Sequence, residues 1–245
     1  MASGTPNNQN ASPIAFALDF SSIAEARAAA ERVRDAIGMV KVGLELFVEA
    51  GPDAARIGRD VGRPVFLDLK LHDIPETVER AVGRVAGLGV RYVTVHAQGG
   101  PAMLRRAVER ARASGGDLEI VAVTVLTSLD QSDLTAMGVA GNVAAHAERL
   151  ARVAWNEGVR AFVCSPHEAR AMRAALGPDA TLITPGVRVA AATDDQKRVA
   201  TAARAIEDGA DWLVVGRPIR DAEDPLAVAN AILQEATLAR KKRDS

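Results

Sequence analysis

The chain has 245 residues, 48% of them hydrophobic, and sets 30 Lys plus Arg against 31 Asp plus Glu for a formal net charge of −1. That supplies a core for one large α/β barrel or two small domains, and leaves no global field to favour nucleic acid or a membrane surface. The single cysteine, Cys164, excludes an internal disulfide framework and fits a reducing cytoplasm, and no apolar run approaches the roughly 20 residues of a membrane span.

Residues 1–12 are polar and lack both a basic start and an apolar middle, so they read as a disordered leader, not a signal peptide. A first strand runs over 14–18 and ends at Asp19; Ser21 and Ser22 can cap a helix over 23–37. The second strand, 39–43, carries Lys41 inside an apolar stretch. Helical spacing follows over 45–61, interrupted at Gly51-Pro52. The third strand starts with Val65, Phe66 and Leu67 and leaves through three charges, Asp68, Lys70 and Asp73. In an extended chain Asp68 and Lys70 point to the same side. Pro75 suits the first turn of a helix reaching about Leu88.

The fourth strand, 91–95, ends at His96, and a helix over 102–114 stops at Gly115-Gly116. The fifth, 118–126, ends at Thr127-Ser128; a short helical turn over 130–137 and a long helix over 143–157 follow. The sixth, 159–164, ends at Cys164. The seventh, 180–183, leads into Thr184-Pro185-Gly186-Val187-Arg188, a polar loop and a helix over 196–208. The eighth, 211–215, ends at Gly216-Arg217, and a last helix covers 225–239. Residues 241–245 form a basic tail that reads as a solvated terminus.

Eight apolar strands, each followed by a helix, predict parallel strands covered on both faces and closed into a single (β/α)8 TIM barrel over 13–240. An open doubly wound sheet is disfavoured, because Ala17-Leu18-Asp19-Phe20-Ser21-Ser22 stands where a Gly-x-Gly-x-x-Gly turn belongs.

In such a barrel the reactive face is the carboxyl end of the strands. Those ends collect Asp19, Lys41, Asp68, Lys70, His96, Thr127, Ser128, Arg188, Gly216 and Arg217. A lysine in a core strand needs a partner, and Asp19 and Asp68 at neighbouring ends can supply one. His96 taken alone reads as a rim histidine, Cys164 as a core thiol, and Trp155 and Trp212 as packing residues. Glycine and arginine after strands seven and eight suit a phosphate, glycine by close backbone approach and arginine by its charged fork. The loop over 189–195 can close over such a ligand. His72, His96, His146 and His167 show no short ligand spacing, and no Rossmann or Walker pattern is present, so neither metal nor cofactor is expected.

With those residues in place, the chain resembles the bacterial orotidine 5′-phosphate decarboxylases. The resemblance runs through Ala17-Leu18-Asp19, Lys41-Val42-Gly43 and Phe66-Leu67-Asp68-Leu69-Lys70-Leu71-His72-Asp73-Ile74-Pro75. It continues through Val95-His96-Ala97, Val125 to Ser128, Thr184 to Arg188, Asp195-Gln196 and Val215 to Ile219. The Asp-x-Lys-x-x-Asp core is shared with other sugar-phosphate barrels. Asp73-Ile74-Pro75-Glu76-Thr77, Leu126-Thr127-Ser128 and the Arg188 and Gln196 pair are the more specific parts. Asp194 stands where the family often has glycine.

The resemblance implies decarboxylation of orotidine 5′-phosphate to UMP and CO2, the last step of pyrimidine nucleotide synthesis, in the cytoplasm and without a cofactor. Lys70 is implied as proton donor, within a catalytic set of Lys41, Asp68, Lys70 and Asp73. The resemblance also implies a homodimer, with Asp73 and Ile74 contributed in trans. Asp19, Lys41, Asp68 and Thr77 are implied as substrate contacts, the first two at the ribose, with Ile74 from the partner. By the same resemblance Thr127 and Ser128 are implied near the pyrimidine and Gln196 between base and phosphate, with Pro185, Arg188, Gly216 and Arg217 expected at the phosphate end. Two competing readings are a Mg2+-dependent sugar-phosphate lyase or decarboxylase of the same superfamily and a non-enzymatic phosphate-binding barrel. Thr127, Ser128 and Gln196 disfavour the first, and Lys41 with its alternating charges disfavours the second.

Overall fold

The computed structural model describes residues 12–188 and 200–244. Residues 1–11 of the expected leader, the loop over 189–195, Gln196 and Ser245 lie outside the described residues. Ser12 belongs to the barrel: its hydroxyl donates to the Ala36 carbonyl at 2.7 Å and accepts from the Ile14 N–H at 3.3 Å.

Eight parallel strands close on themselves: β1 (Ile14–Ala17), β2 (Met39–Val42), β3 (Val65–Leu71), β4 (Tyr92–His96), β5 (Glu119–Val123), β6 (Ala161–Val163), β7 (Thr181–Pro185) and β8 (Trp212–Val215). Each pairs with its sequence neighbours, and β1 completes the ring by pairing with both β2 and β8. Around them lie α1 (Ile23–Val33), α2 (Leu44–Ala50), α3 (Asp53–Asp60), α4 (Pro75–Ala86), α5 (Gly100–Ala113), α6 (Gln131–Ala136), α7 (Val143–Asn156), α8 (Pro166–Leu176), α9 (Ala202–Glu207), α10 (Arg217–Arg220) and α11 (Pro225–Arg243). No helix among the described residues is long and apolar enough to cross a membrane.

Strand alternation divides the core. Ala15, Met39, Phe66, Tyr92, Val121, Ala161 and Ile183 form the inner cluster. Their neighbours in sequence, among them Ile14, Phe16, Val40, Leu67, Val93, Phe162 and Leu182, belong to the larger cluster shared with the helices. Because the period is two, the inward series continues towards the carboxyl ends as Ala17 and Asp19, Lys41, Asp68, then Thr94 and His96. The same pattern that fills the bore therefore stacks polar side chains at its mouth.

Helix starts follow local chemistry. Ser22 accepts from the Glu25 N–H, Asn142 from Ala145 and Asp224 from Ala227. Gly51, at φ 56°, and Pro52 split α2 from α3 where the sequence expected a break.

Three of the boundaries that differ from expectation show a local cause. Strand β5 stops at Val123, and Leu126 to Leu129 instead form a turn with a 2.9 Å N–H···O bond. The helix expected from 196 begins at Ala202, because Ala200–Thr201 is extended and pairs with Val187–Arg188. Thr201 then caps α9 by accepting from the Arg204 N–H at 3.2 Å. Helix α11 continues to Arg243, whose guanidinium donates to the Ile206 and Ala210 carbonyls.

Candidate active site

Four charged side chains alternate in sign across three neighbouring strand ends. Lys41 Nζ stands 3.3 Å from Asp19 Oδ1 and 3.7 Å from Asp68 Oδ2, and Lys70 Nζ donates to the same Asp68 oxygen at 2.9 Å. Lys41 leaves only 11% of its side chain exposed and Asp68 only 14%. Burying an isolated charge that far costs several kcal/mol, and here each charge is matched by an opposite one. The partners expected for Lys41 are the ones it has.

Lys70 reaches Asp68 by an irregular path. Leu67 pairs with Val93 and Leu71 with Val95, so four steps along β3 span two along β4. Within this bulge Lys70 adopts φ 52°, the only non-glycine among the described residues at positive φ. A left-handed backbone costs a side-chain-bearing residue about 1–2 kcal/mol. Simple alternation from Asp68 to Lys70 therefore does not apply; the bulge re-aims the lysine.

Thr94, fully buried on β4, sits under this irregularity. Its hydroxyl accepts from the Lys70 N–H at 2.8 Å and donates to Asp68 Oδ1 at 3.0 Å. The sequence reading passed over Thr94; its position two residues before His96, on the inward face of β4, is the signal that marks it.

His72 and His96, 24 positions apart in sequence, bring their rings to 5.3 Å between centroids. Partial burial holds His96 below its ordinary 6.5, with the neighbouring His72 and Lys70 charges acting in the same direction. Among the described residues no three His, Cys, Asp or Glu side chains gather as a metal-ligand set.

Two glycines border the array. A Cβ on Gly43 would lie 3.2 Å from Lys41 Nζ and 3.4 Å from Asp19 Oδ1, and one on Gly216 would lie 3.3 Å from Ala17 Cβ and 3.5 Å from Asp19 Oδ2. Gly216 thus brings the β8 exit against the β1 exit and precedes α10, which opens with Arg217-Pro218. Arg217 is exposed, and Pro185 ends β7 beside Val214.

Among the described residues, the remaining expected ones form no hydrogen bond or ion pair with the four charged side chains. Asp73 is exposed, accepts from the Ile74 N–H and, among the described residues, forms no ion pair within its own chain. Ile74 is 66% exposed and Thr77 is exposed in the first turn of α4. Thr127 and Ser128 are exposed in the turn after β5. The backbone of Arg188 lies in the short ladder with Thr201. Cys164 is buried, 3.7 Å from the Thr184 hydroxyl, and burial pushes its thiol up to about 12. Trp155 stacks on Phe162, and Trp212 packs against the inner cluster.

Residues 12–232 match the Orotidine 5'-phosphate decarboxylase / HUMPS family. The orotidine 5'-phosphate decarboxylase of Anaeromyxobacter sp. (strain K) is 54% identical over 220 residues, covering 89% of this chain and 96% of that one. That of Thermobifida fusca (strain YX) is 51% identical over 229 residues, covering 92% and 96%. The crystal structure of the orotidine 5'-phosphate decarboxylase from Lactobacillus acidophilus superposes with a TM-score of 0.81 at 34% identity, covering 92% of this chain and 99% of that one. With matches of this identity spanning nearly all of the barrel, the chain belongs to the orotidine 5′-phosphate decarboxylase / HUMPS family.

Proposed function

We propose that this chain decarboxylates orotidine 5′-phosphate to UMP and CO2 without a cofactor, and that Lys70 delivers the proton to C6. The observation that carries the reading is the unbroken series Asp19, Lys41, Asp68, Lys70, with successive N···O separations of 3.3, 3.7 and 2.9 Å.

Loss of CO2 from C6 leaves an electron pair that the pyrimidine ring cannot readily accept. A fixed ammonium beside that carbon stabilises the developing charge, and needs little reorganisation because its partners already hold it. Lys70 then donates a proton to C6, forming the C–H bond as the C–C bond to CO2 is lost. Asp68 holds Lys70 on one side and Lys41 on the other, and faces the departing carboxylate. Asp19 and Lys41 hold the ribose hydroxyls, and Thr127 and Ser128 border the pyrimidine. The phosphate is held by Gly216 and Arg217, with Pro185, Arg188 and Gln196 completing that end. Binding energy from the phosphate keeps C6 beside Lys70.

The working form is a homodimer in the cytoplasm. Asp73, Ile74 and Thr77 serve the site of the partner subunit, a role consistent with their exposure and with the absence of an ion pair to Asp73 within its own chain. Leu44 and Val48 on α2, 52% and 81% exposed, add apolar surface that a second subunit would cover. The lone buried thiol, Cys164, suits a reducing compartment.

Mixing inactive Lys70→Ala with inactive Asp73→Ala subunits tests both assignments. Each mixed dimer contains one site with both residues intact, so random exchange returns about a quarter of wild-type activity. No recovery under proven exchange contradicts sharing across the interface.

A further inference from the structure

We infer that Thr94 is a positioning residue for the reaction, setting the Asp68–Lys70 pair through its two hydrogen bonds; this rests on the reading of Lys70 as proton donor. The bulge in β3 removes the regular β4 partner from the Lys70 N–H. Thr94 Oγ1 takes that place, accepting at 2.8 Å, and so supports the one side-chain-bearing residue at positive φ among the described residues. The hydroxyl hydrogen is then committed to Asp68 Oδ1 at 3.0 Å.

That commitment divides the Asp68 carboxylate by function. Oδ1 is anchored to the barrel wall, while Oδ2 faces both ammonium groups, Lys70 at 2.9 Å and Lys41 at 3.7 Å. One buried hydroxyl therefore fixes the backbone beneath the lysine and the rotation of its counter-ion. Thr94 is fully buried below the charges, so it acts through them and not on substrate.

Replacing threonine by valine keeps the shape and removes both bonds. A small misplacement of a reacting group can lower the rate by about a hundredfold, and Thr94→Val is expected to lower kcat by about ten- to a hundredfold. KM should stay within about threefold, because the phosphate and ribose contacts are untouched. Thr94→Ser restores the hydroxyl and should return kcat to within about threefold of wild type. In an Asp68→Ala background Thr94→Val should lower kcat by a smaller factor than it does in the wild type, since one of the two groups it positions is already gone. If Thr94→Val does not accumulate as folded protein, Thr94→Ala and Thr94→Ser are compared in its place. Unchanged kcat in Thr94→Val, alongside an inactive Lys70→Ala, overturns the positioning role and leaves the decarboxylase reading intact. Full additivity with Asp68→Ala overturns it too. A wild-type chain that leaves orotidine 5′-phosphate untouched overturns both.

Discussion

The guanidinium of Arg220 donates to the backbone carbonyl of Asp19 at 3.0 Å, joining the exit of β1 to α10 across almost the whole sequence. The same side chain is forked onto Asp221, which fixes its direction. Asp19 ends the charge series and Arg217 opens α10, so Arg220 holds the proposed ribose and phosphate ends of the site at a set separation. Arg220→Ala is expected to raise KM for orotidine 5′-phosphate by about fivefold with a smaller change in kcat, the pattern of lost uniform binding. Steady-state kinetics decide it: a fall in kcat at constant KM would contradict this role.

Gly58 on α3 is a close-approach position. A Cβ there would lie 2.2 Å from Val65 Cγ2 and 2.6 Å from the Arg63 carbonyl, so the helix reaches β3 only because no side chain intervenes. In an open helix Gly→Ala stabilises by about 1 kcal/mol. Here overpacking reverses the sign, and Gly58→Ala should destabilise by about 2 kcal/mol in urea unfolding. A stabilised variant would show that α3 can move away from β3 freely.

His96 supplies a test in pH. Burial lowers its pKa first, and His72 and Lys70 add to the effect, against Asp68, which raises it. A base with a lowered folded-state pKa binds fewer protons folded than unfolded. Its contribution to stability is therefore complete above 6.5, the ordinary value, and is lost as pH falls through the folded-state pKa. The His96 ring should titrate below 6.5 by two-dimensional NMR, and His72→Gln should move the midpoint up. A midpoint at or above the ordinary value would contradict the burial argument.

Much of the barrel could be read from residue order, because each strand is a short apolar run ending in polar residues. The position of Lys41 in such a run demanded counter-ions, and alternation placed Asp19 and Asp68 where they could serve. Lys70 was legible as a candidate but not in its geometry, since a bulge defined by pairing with β4 leaves no mark in β3 alone. Thr94 escaped notice because an inward threonine near a strand end is ordinary until its two partners are known. His72 and His96 looked unrelated, 24 positions apart, and only closure of β3 on β4 brings their rings together. Ala200 and Thr201 read as helix from composition, yet pairing with Val187 and Arg188 holds them extended. Long-range pairing decided what local propensity could not.

Decarboxylation driven by Lys70 within a preformed charge array, as proposed, requires no metal. The most direct measurement is the loss of ultraviolet absorbance when orotidine 5′-phosphate is added to chelator-treated protein, wild type and Lys70→Ala side by side. The expected result is an undiminished wild-type rate in chelator and no turnover by Lys70→Ala, which still binds UMP. Activity that disappears in chelator and returns with Mg2+, or near-normal turnover by Lys70→Ala, would contradict it.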